Sequence, residues 1–419
     1  MKLKLFFTLF VIQIAFAQQR TCGMQEKMQL IMADPIQKQH YLERQAKFKI
    51  EYEKLIAIEV ANRNGTTAKN TNATIRIPVA VHFHSVSNAS LAGVKNCLRS
   101  LAQTQVNVIN ADYNASNADI SNWTAASAFY PGVTVGNLDV QFILATQNHP
   151  AGTGLTNGTV AVTFGTDFLS GDTDTTWSGY MNFVIKNIGS GLLGYSPYPG
   201  LPSGGETVVM NTFCFGTGAG CSGYVPAAPF NLGRTVTHEL GHFFNLDHTF
   251  GNDNGCGTDD DGIADTPKVG NATYGCPANG SVNGCVSGQK ALTMNYMDYV
   301  DDPCMYMFSA GQKTRMLAYI NSISSQFLTN VLANDNFVKN SFSIYPNPNN
   351  GSFTIQFTEA VNDFSIEIFD IMGRVVYENS FKQDSSLVHT INIDNPNRGV
   401  YFANIKSGDG IVTKKIIVE

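Results

Sequence analysis

The chain has 419 residues, enough for more than one domain with its own core. Charged residues make up only 14% and the net charge is −6, which excludes the broad basic surface of a nucleic-acid partner. Abundant Gly, Asn, Ser and Thr give a polar, weakly charged surface of the kind exported proteins carry.

In chain order, residues 1–17 read as a signal peptide. Lys2 and Lys4 form a positive start, residues 5–14 an apolar run, and Ala15-Phe16-Ala17 an A-x-A cleavage site. The run is short for a membrane span and no later stretch qualifies, so no transmembrane segment is expected in a mature chain starting at Gln18. A retained anchor is the weaker reading, since no Cys follows the cleavage site. Residues 18–72 are helix-prone, rich in Gln, Lys and Glu, and end in a polar linker at 62–67; this segment is read as a pro-segment. From 74 the texture alternates, and residues 75–84 predict a first strand. Residues 91–113 carry helical spacing at Val94, Leu98, Leu101, Val106 and Ile109. Further strands are expected at 138–145, 180–188 and 206–213, a helix from about Phe230, a long Gly- and Asp-rich stretch to about 290, and a last helix over 310–327.

The helix after Phe230 carries the chemistry. Residues 238–248 read His-Glu-Leu-Gly-His-Phe-Phe-Asn-Leu-Asp-His. Positions four apart share a helix face, so His238 and His242 point the same way and are spaced to grip one zinc ion. Glu239 stands beside the metal, where it can take a proton from a water. His248 follows past a turn as a third nitrogen ligand, and three protein ligands leave one position open, the layout of a catalytic site. A lone histidine on an apolar helix is more often a packed core residue; the third His at this distance tips the balance to metal.

Eight cysteines in an exported chain point to disulfides. Cys256, Cys276, Cys285 and Cys304 cluster where apolar periodicity is weak, and two bridges there would staple the segment. Cys214 and Cys221 flank a Gly-rich hexapeptide and are expected to close a small loop; Cys22 and Cys97 remain a pair by arithmetic. The acidic run Asp259-Asp260-Asp261-Gly262-Ile263-Ala264-Asp265 is a candidate calcium loop through Asp259, Asp261 and Asp265, although it lacks EF-hand spacing and acidic loops are often merely solvated.

From about 342 the texture changes to short alternating segments between turns: 353–357, 364–369, 374–377, 388–393, 400–405 and 411–418. Six closely spaced strands predict a small β-sandwich without a catalytic role.

The run HELGHFFNLDH resembles the extended zinc signature of the metzincin metallopeptidases, with Asn295-Tyr296-Met297-Asp298-Tyr299 as the Met-turn. The residues around it, with Gly194-Tyr195, Thr249-Phe250 and Phe308-Ser309-Ala310-Gly311-Gln312, resemble the pappalysin family, ulilysin-like members in particular. The one departure is Asn245, where metzincins usually carry Gly; Asn is the residue next best suited to positive φ. The resemblance implies an α/β (α+β) catalytic domain over 73–330 with a zinc helix and a loop-rich lower half. It implies His238, His242 and His248 as zinc ligands, Glu239 as general base and then acid, Met297 as an apolar floor, and Tyr299 steadying the tetrahedral intermediate. Arg20-Thr21-Cys22-Gly23 resembles a cysteine switch, with Cys22 filling the open zinc position of a zymogen; a Cys22–Cys97 bridge is the competing reading. The family also implies calcium nearby and the pairings Cys256–Cys285 and Cys276–Cys304.

The tail has its own likeness. Ile344-Tyr345-Pro346-Asn347-Pro348, Gly351, Gly373-Arg374, Gly399-Val400-Tyr401 and Lys414-Lys415 resemble a type IX secretion sorting domain over 341–419, which implies secretion machinery as a partner and a secreted or cell-surface destination. The whole reads as a secreted zinc endopeptidase acting on proteins or peptides and made as a zymogen. The alternatives are a catalytically silent surface binding protein on the same scaffold and a zinc hydrolase of non-peptide bonds.

Overall fold

The computed structural model describes residues 19–63, 74–84, 86, 92–165, 173–189, 191–251, 255–332, 342–357, 364–371, 373–382, 386–394, 396–407 and 410–419. The signal-peptide call at 1–17 and most of the polar linker lie outside them. No helix among the described residues is long and apolar enough to cross a membrane. The chain divides into two compact units, residues 1–144 with 162–327, and residues 145–161 with 328–419.

The first unit is built on a mixed sheet. Strand β1 (Ile75–His84) is central, and β2 (Val140–Leu144) and β3 (Val162–Gly165) lie parallel to its first and second halves. Parallel to its other side runs β4 (Met181–Ile185), then β6 (Thr207–Met210), while β5 (Gly194–Tyr195) closes the edge antiparallel to β6. β1 and β4 are buried along nearly their whole length, so the alternation that marks β1 in the sequence does not correspond to one solvent-facing side; His82, one of its polar positions, is buried too. Helix α3 (Ala92–Tyr113) lays Leu98, Leu101, Val106 and Ile109 inward, the spacing expected of it. A one-turn helix α4 (Trp123–Ala126) follows. Helix α5 (Arg234–Phe243) is buried throughout and α6 (Ala310–Ile323) closes the unit, its start fixed by a Ser309–Gln312 capping box. Two helices precede the sheet, α1 (Met24–Ala33) and α2 (Pro35–Arg63), and α2 packs along α6.

Three disulfides join Cys97 to Cys221, Cys256 to Cys285 and Cys276 to Cys304. The expected Cys214–Cys221 loop is therefore corrected. Cys221 reaches back to α3, while Cys214 is a free, buried thiol that donates to the carbonyls of Leu193 and Asn211. The Cys97–Cys221 bond spans 124 residues of chain. Cutting so long a loop with Cys97→Ser is expected to lower the unfolding free energy by about 2–5 kcal/mol, read from denaturant titration of the oxidised protein.

The second unit holds two antiparallel sheets. One is ordered β10 (Val375–Phe381), β9 (Phe364–Asp370), β12 (Gly399–Ser407), β13 (Gly410–Val418); the other is β11 (Val388–Asn392), β8 (Ser352–Phe357), β7 (Phe342–Tyr345). Their alternating inward residues, among them Phe353, Ile355, Ile366, Ile368, Ile391, Ile405 and Ile416, form one core. β7 falls in a stretch that reads as turn residues, and the other six strands stand close to where alternation predicts them.

Candidate metal centre

Helix α5 starts at Arg234, four residues later than its sequence suggests, because its cap comes from far along the chain. Gly233 in left-handed conformation (φ 75°) offers no capping side chain. Instead the Asp302 carboxylate accepts the N–H of Leu232 at 2.9 Å and of Arg234 at 3.3 Å. The Arg234 guanidinium ion-pairs with Asp112 and Asp119 and lies over the Tyr296 ring, tying the helix to α3 and to the turn beneath it. The helix ends where Asn245 takes φ 73°, with its N–H on the His242 carbonyl and the Leu246 N–H on the Gly241 carbonyl. That is a Schellman stop with Asn in the glycine position, so the departure from the metzincin pattern keeps the turn geometry.

This stop swings His248 back over the helix. His238 and His242 offer Nε2 atoms 3.3 Å apart, and those of His242 and His248 lie 3.1 Å apart. Nδ1 of His238 donates to the Tyr296 carbonyl and Nδ1 of His242 to the Leu246 carbonyl, both at 2.7 Å, which turns each Nε2 lone pair toward the common centre. Burial pushes all three imidazoles down, His242 to about 4, so the rings are neutral. Three neutral nitrogens aimed at one another repel unless a cation sits between them. Tetrahedral zinc with bonds of about 2.0–2.1 Å spaces its nitrogens by roughly 3.3 Å, so the residues fit that ion. Cys22 Sγ completes the group, its sulfur and the three nitrogens all lying within 4.8 Å of one another.

Met297 lies under the histidines; a Cβ at Gly241 would come within 2.5 Å of its Sδ, so glycine in the motif makes room for this floor. Its N–H is held by Asn295, which exchanges side-chain hydrogen bonds with Gln312 of α6. Glu239 is buried, and burial pushes its carboxyl up to about 8, against lowering by the Cys22 hydrogen bond and Arg20. Its Oε2 accepts the Cys22 thiol at 3.2 Å, while Oε1 has no partner among the described residues. Tyr299 sets its ring 5.0 Å from that of His248 and accepts the Cys22 N–H on its hydroxyl at 3.3 Å. The chain before α1 lies along the β5 edge: the Leu193 N–H donates to the Thr21 carbonyl and the Gly23 N–H to that of Gly194, with Cys22 and Gly194 paired in parallel.

Beside Cys22, Arg20 is buried in a pocket that sequence reasoning missed. Its Nη2 meets Asp302 Oδ1 at 2.5 Å, Nη1 donates to Thr235 Oγ1 at 3.1 Å, Nε donates to the Val300 carbonyl at 3.1 Å, and Phe230 stacks on the guanidinium. The available signal was the arginine within Arg20-Thr21-Cys22-Gly23, set against an Asp just after the Met-turn. The candidate calcium acids do not come together in this way. Asp261 is occupied by Thr266 and the Ile263 N–H, and Asp265 by Ser309 and the Gly311 N–H at the start of α6. Among the described residues the Cys22–histidine cluster is the group arranged to hold a metal.

This helix, turn and histidine triad on a mixed sheet define a metallopeptidase scaffold of the metzincin class. Residues 173–321 match the pregnancy-associated plasma protein-A peptidase family, and residues 343–419 match the secretion system C-terminal sorting domain. An extracellular metalloprotease of Verticillium alfalfae is 34% identical over 245 residues, covering 58% of this chain and 76% of that relative. One of Arthroderma benhamiae is 39% identical over 147 residues, covering 34% of this chain; the match spans 50% of that relative's length. The promirolysin structure from Tannerella forsythia superposes with a TM-score of 0.53 at 27% identity, covering 73% of this chain and 95% of that one. The chain belongs to the pappalysin family of metallopeptidases and carries a C-terminal sorting domain. The sorting domain and the extracellular relatives place it among secreted or cell-surface proteins.

Proposed function

We propose that this chain is the latent precursor of a secreted zinc endopeptidase that cuts peptide bonds beside basic residues. The observation that carries the reading is the convergence of His238, His242 and His248 with Glu239 alongside. Zinc held there supplies Lewis acidity and acidifies a water at neutral pH. Glu239 takes the proton of the attacking water and returns it to the leaving amine. Tyr299, freed from the Cys22 N–H, is placed to donate its hydroxyl to the oxyanion of the tetrahedral intermediate.

In the precursor the same groups are engaged by residues 20–23: Cys22 hydrogen-bonds the base and would supply a fourth ligand to a metal held by the histidines, and Arg20 fills the neighbouring pocket. The match to a protein named promirolysin supports latency of this kind. Release of residues 18–72 then exposes a pocket whose floor is a carboxylate, shaped for a guanidinium.

The test uses the full chain with zinc, before and after activating cleavage, on casein and on peptides with Arg, Lys, Leu or Gln beside the scissile bond. Activity only after activation, abolished by a chelator and restored by zinc, with Arg preferred, is the expected result. An activated, metal-loaded chain that cleaves none of them favours the silent binding scaffold. Asp302→Asn keeps acceptor capacity for the α5 N–H groups but removes the charge. It is expected to cut kcat/KM on the Arg peptide by about 10–100-fold while leaving the Leu peptide within about twofold. Equal losses on both peptides would reduce Asp302 to a helix cap.

A further inference from the structure

A second arginine of the precursor sits in a second acidic receptor. Arg44 on α2 makes a fork with Glu206, Nη2 to Oε1 at 2.6 Å and Nη1 to Oε2 at 3.1 Å, and Nη1 also donates to the Pro199 carbonyl at 2.7 Å. The two side chains are only 19% and 15% exposed. The carboxylate is preset by the chain around it, since the Leu201 N–H donates to Oε2 at 2.7 Å. A planar fork facing a fixed carboxylate and carbonyl is a guanidinium receptor. Tyr198, next to Pro199, sets its ring 6.2 Å from that of His242, so this stretch of chain runs past the metal centre.

The sheet register locates the receptor along the cleft. Cys22 pairs with Gly194, and Gly194 stands opposite Met210. Glu206 comes four residues before Met210, roughly 13 Å along the edge at about 3.3 Å per residue, in the direction β5 takes past Tyr195. Arg20 lies two residues the other way, with Thr21 facing Leu193. The two acidic pockets therefore flank the point that faces the metal.

We propose that Glu206 and the Pro199 carbonyl form a second substrate subsite for a basic side chain. It is filled by Arg44 in the precursor and by an arginine of the substrate afterwards, about three to five residues from the scissile bond on the side away from the Asp302 pocket. The proposal rests on the reading of the chain as a peptidase with a basic preference in that pocket. The fork geometry favours arginine over lysine.

The experiment walks one arginine through five positions of a quenched-fluorescent peptide whose parent carries glutamine at all five and arginine in the Asp302 pocket. Activated full chain and its Glu206→Gln variant are compared. At one or two positions the arginine is expected to lower KM about tenfold with kcat little changed, and Glu206→Gln to erase that gain. Cleavage of the parent peptide at equal rates by both proteins reports that the variant is folded. If wild type cleaves the parent but no position shows a gain, or the gain survives Glu206→Gln, Glu206 only docks the pro-segment and the proposal is overturned while the peptidase reading stands. If activated wild type leaves every peptide intact, both fall together.

Discussion

Replacing Glu239 by Gln is expected to lower kcat of the activated chain by about 10²–10⁴-fold while zinc content and fold are kept. The substitution conserves volume and hydrogen-bonding reach, and the residue is not one of the three nitrogen donors, so the metal site survives. What disappears is a group able to accept and return a proton. No other carboxylate among the described residues joins the donor cluster to take over. Metal content by mass spectrometry and turnover of an Arg peptide check the point together. Retained turnover with bound zinc would remove Glu239 from the chemistry.

Arg20→Ala in the uncleaved precursor is expected to loosen the pro-segment more than any surface contact could. Arg20 and Asp302 are both almost wholly inaccessible, 1% and 0% exposed, so truncating one leaves the other a buried charge without its partner. Breaking such pairs costs about 3–5 kcal/mol, a shift of roughly two to four orders of magnitude between closed and open forms. Labelling of the Cys22 thiol in zinc-loaded protein should accelerate by that factor, and the precursor should gain measurable activity. Labelling rates within twofold of wild type would show that Cys22 alone carries latency. By contrast, Asn245→Gly keeps the helix stop and loses only the side-chain bonds to Gln45 of α2, so the mature enzyme is expected to be unaffected.

The parts of this molecule legible in its sequence are those set by local periodicity. Two histidines a helical turn apart must share a face, so the metal helix could be read without coordinates, as could the alternation of β1, β8 and β9. Asn245 could be read too, because only its backbone conformation mattered there. What escaped depends on distant partners. The start of α5 is set by Asp302, nearly seventy residues on, and no local signal marks it. β5 is two residues long, too short for any period, yet it carries the edge on which residues 20–23 lie. Cys221 bonds to Cys97, 124 residues back, where spacing favoured Cys214. Charge counts likewise do not reveal that the carboxylates of Asp261 and Asp265 accept from Thr266, Ser309 and backbone N–H groups.

The most direct measurement is the metal content of the purified full chain carrying Cys22→Ala, which leaves the three histidines as its ligands, beside the same chain with His238→Ala, His242→Ala or His248→Ala added, by inductively coupled plasma mass spectrometry after dialysis against a weak chelator. One zinc per Cys22→Ala chain, falling below a tenth in each histidine variant while far-UV circular dichroism is unchanged, is the predicted result. A Cys22→Ala chain free of zinc, or histidine variants that keep it, would contradict the account at its root.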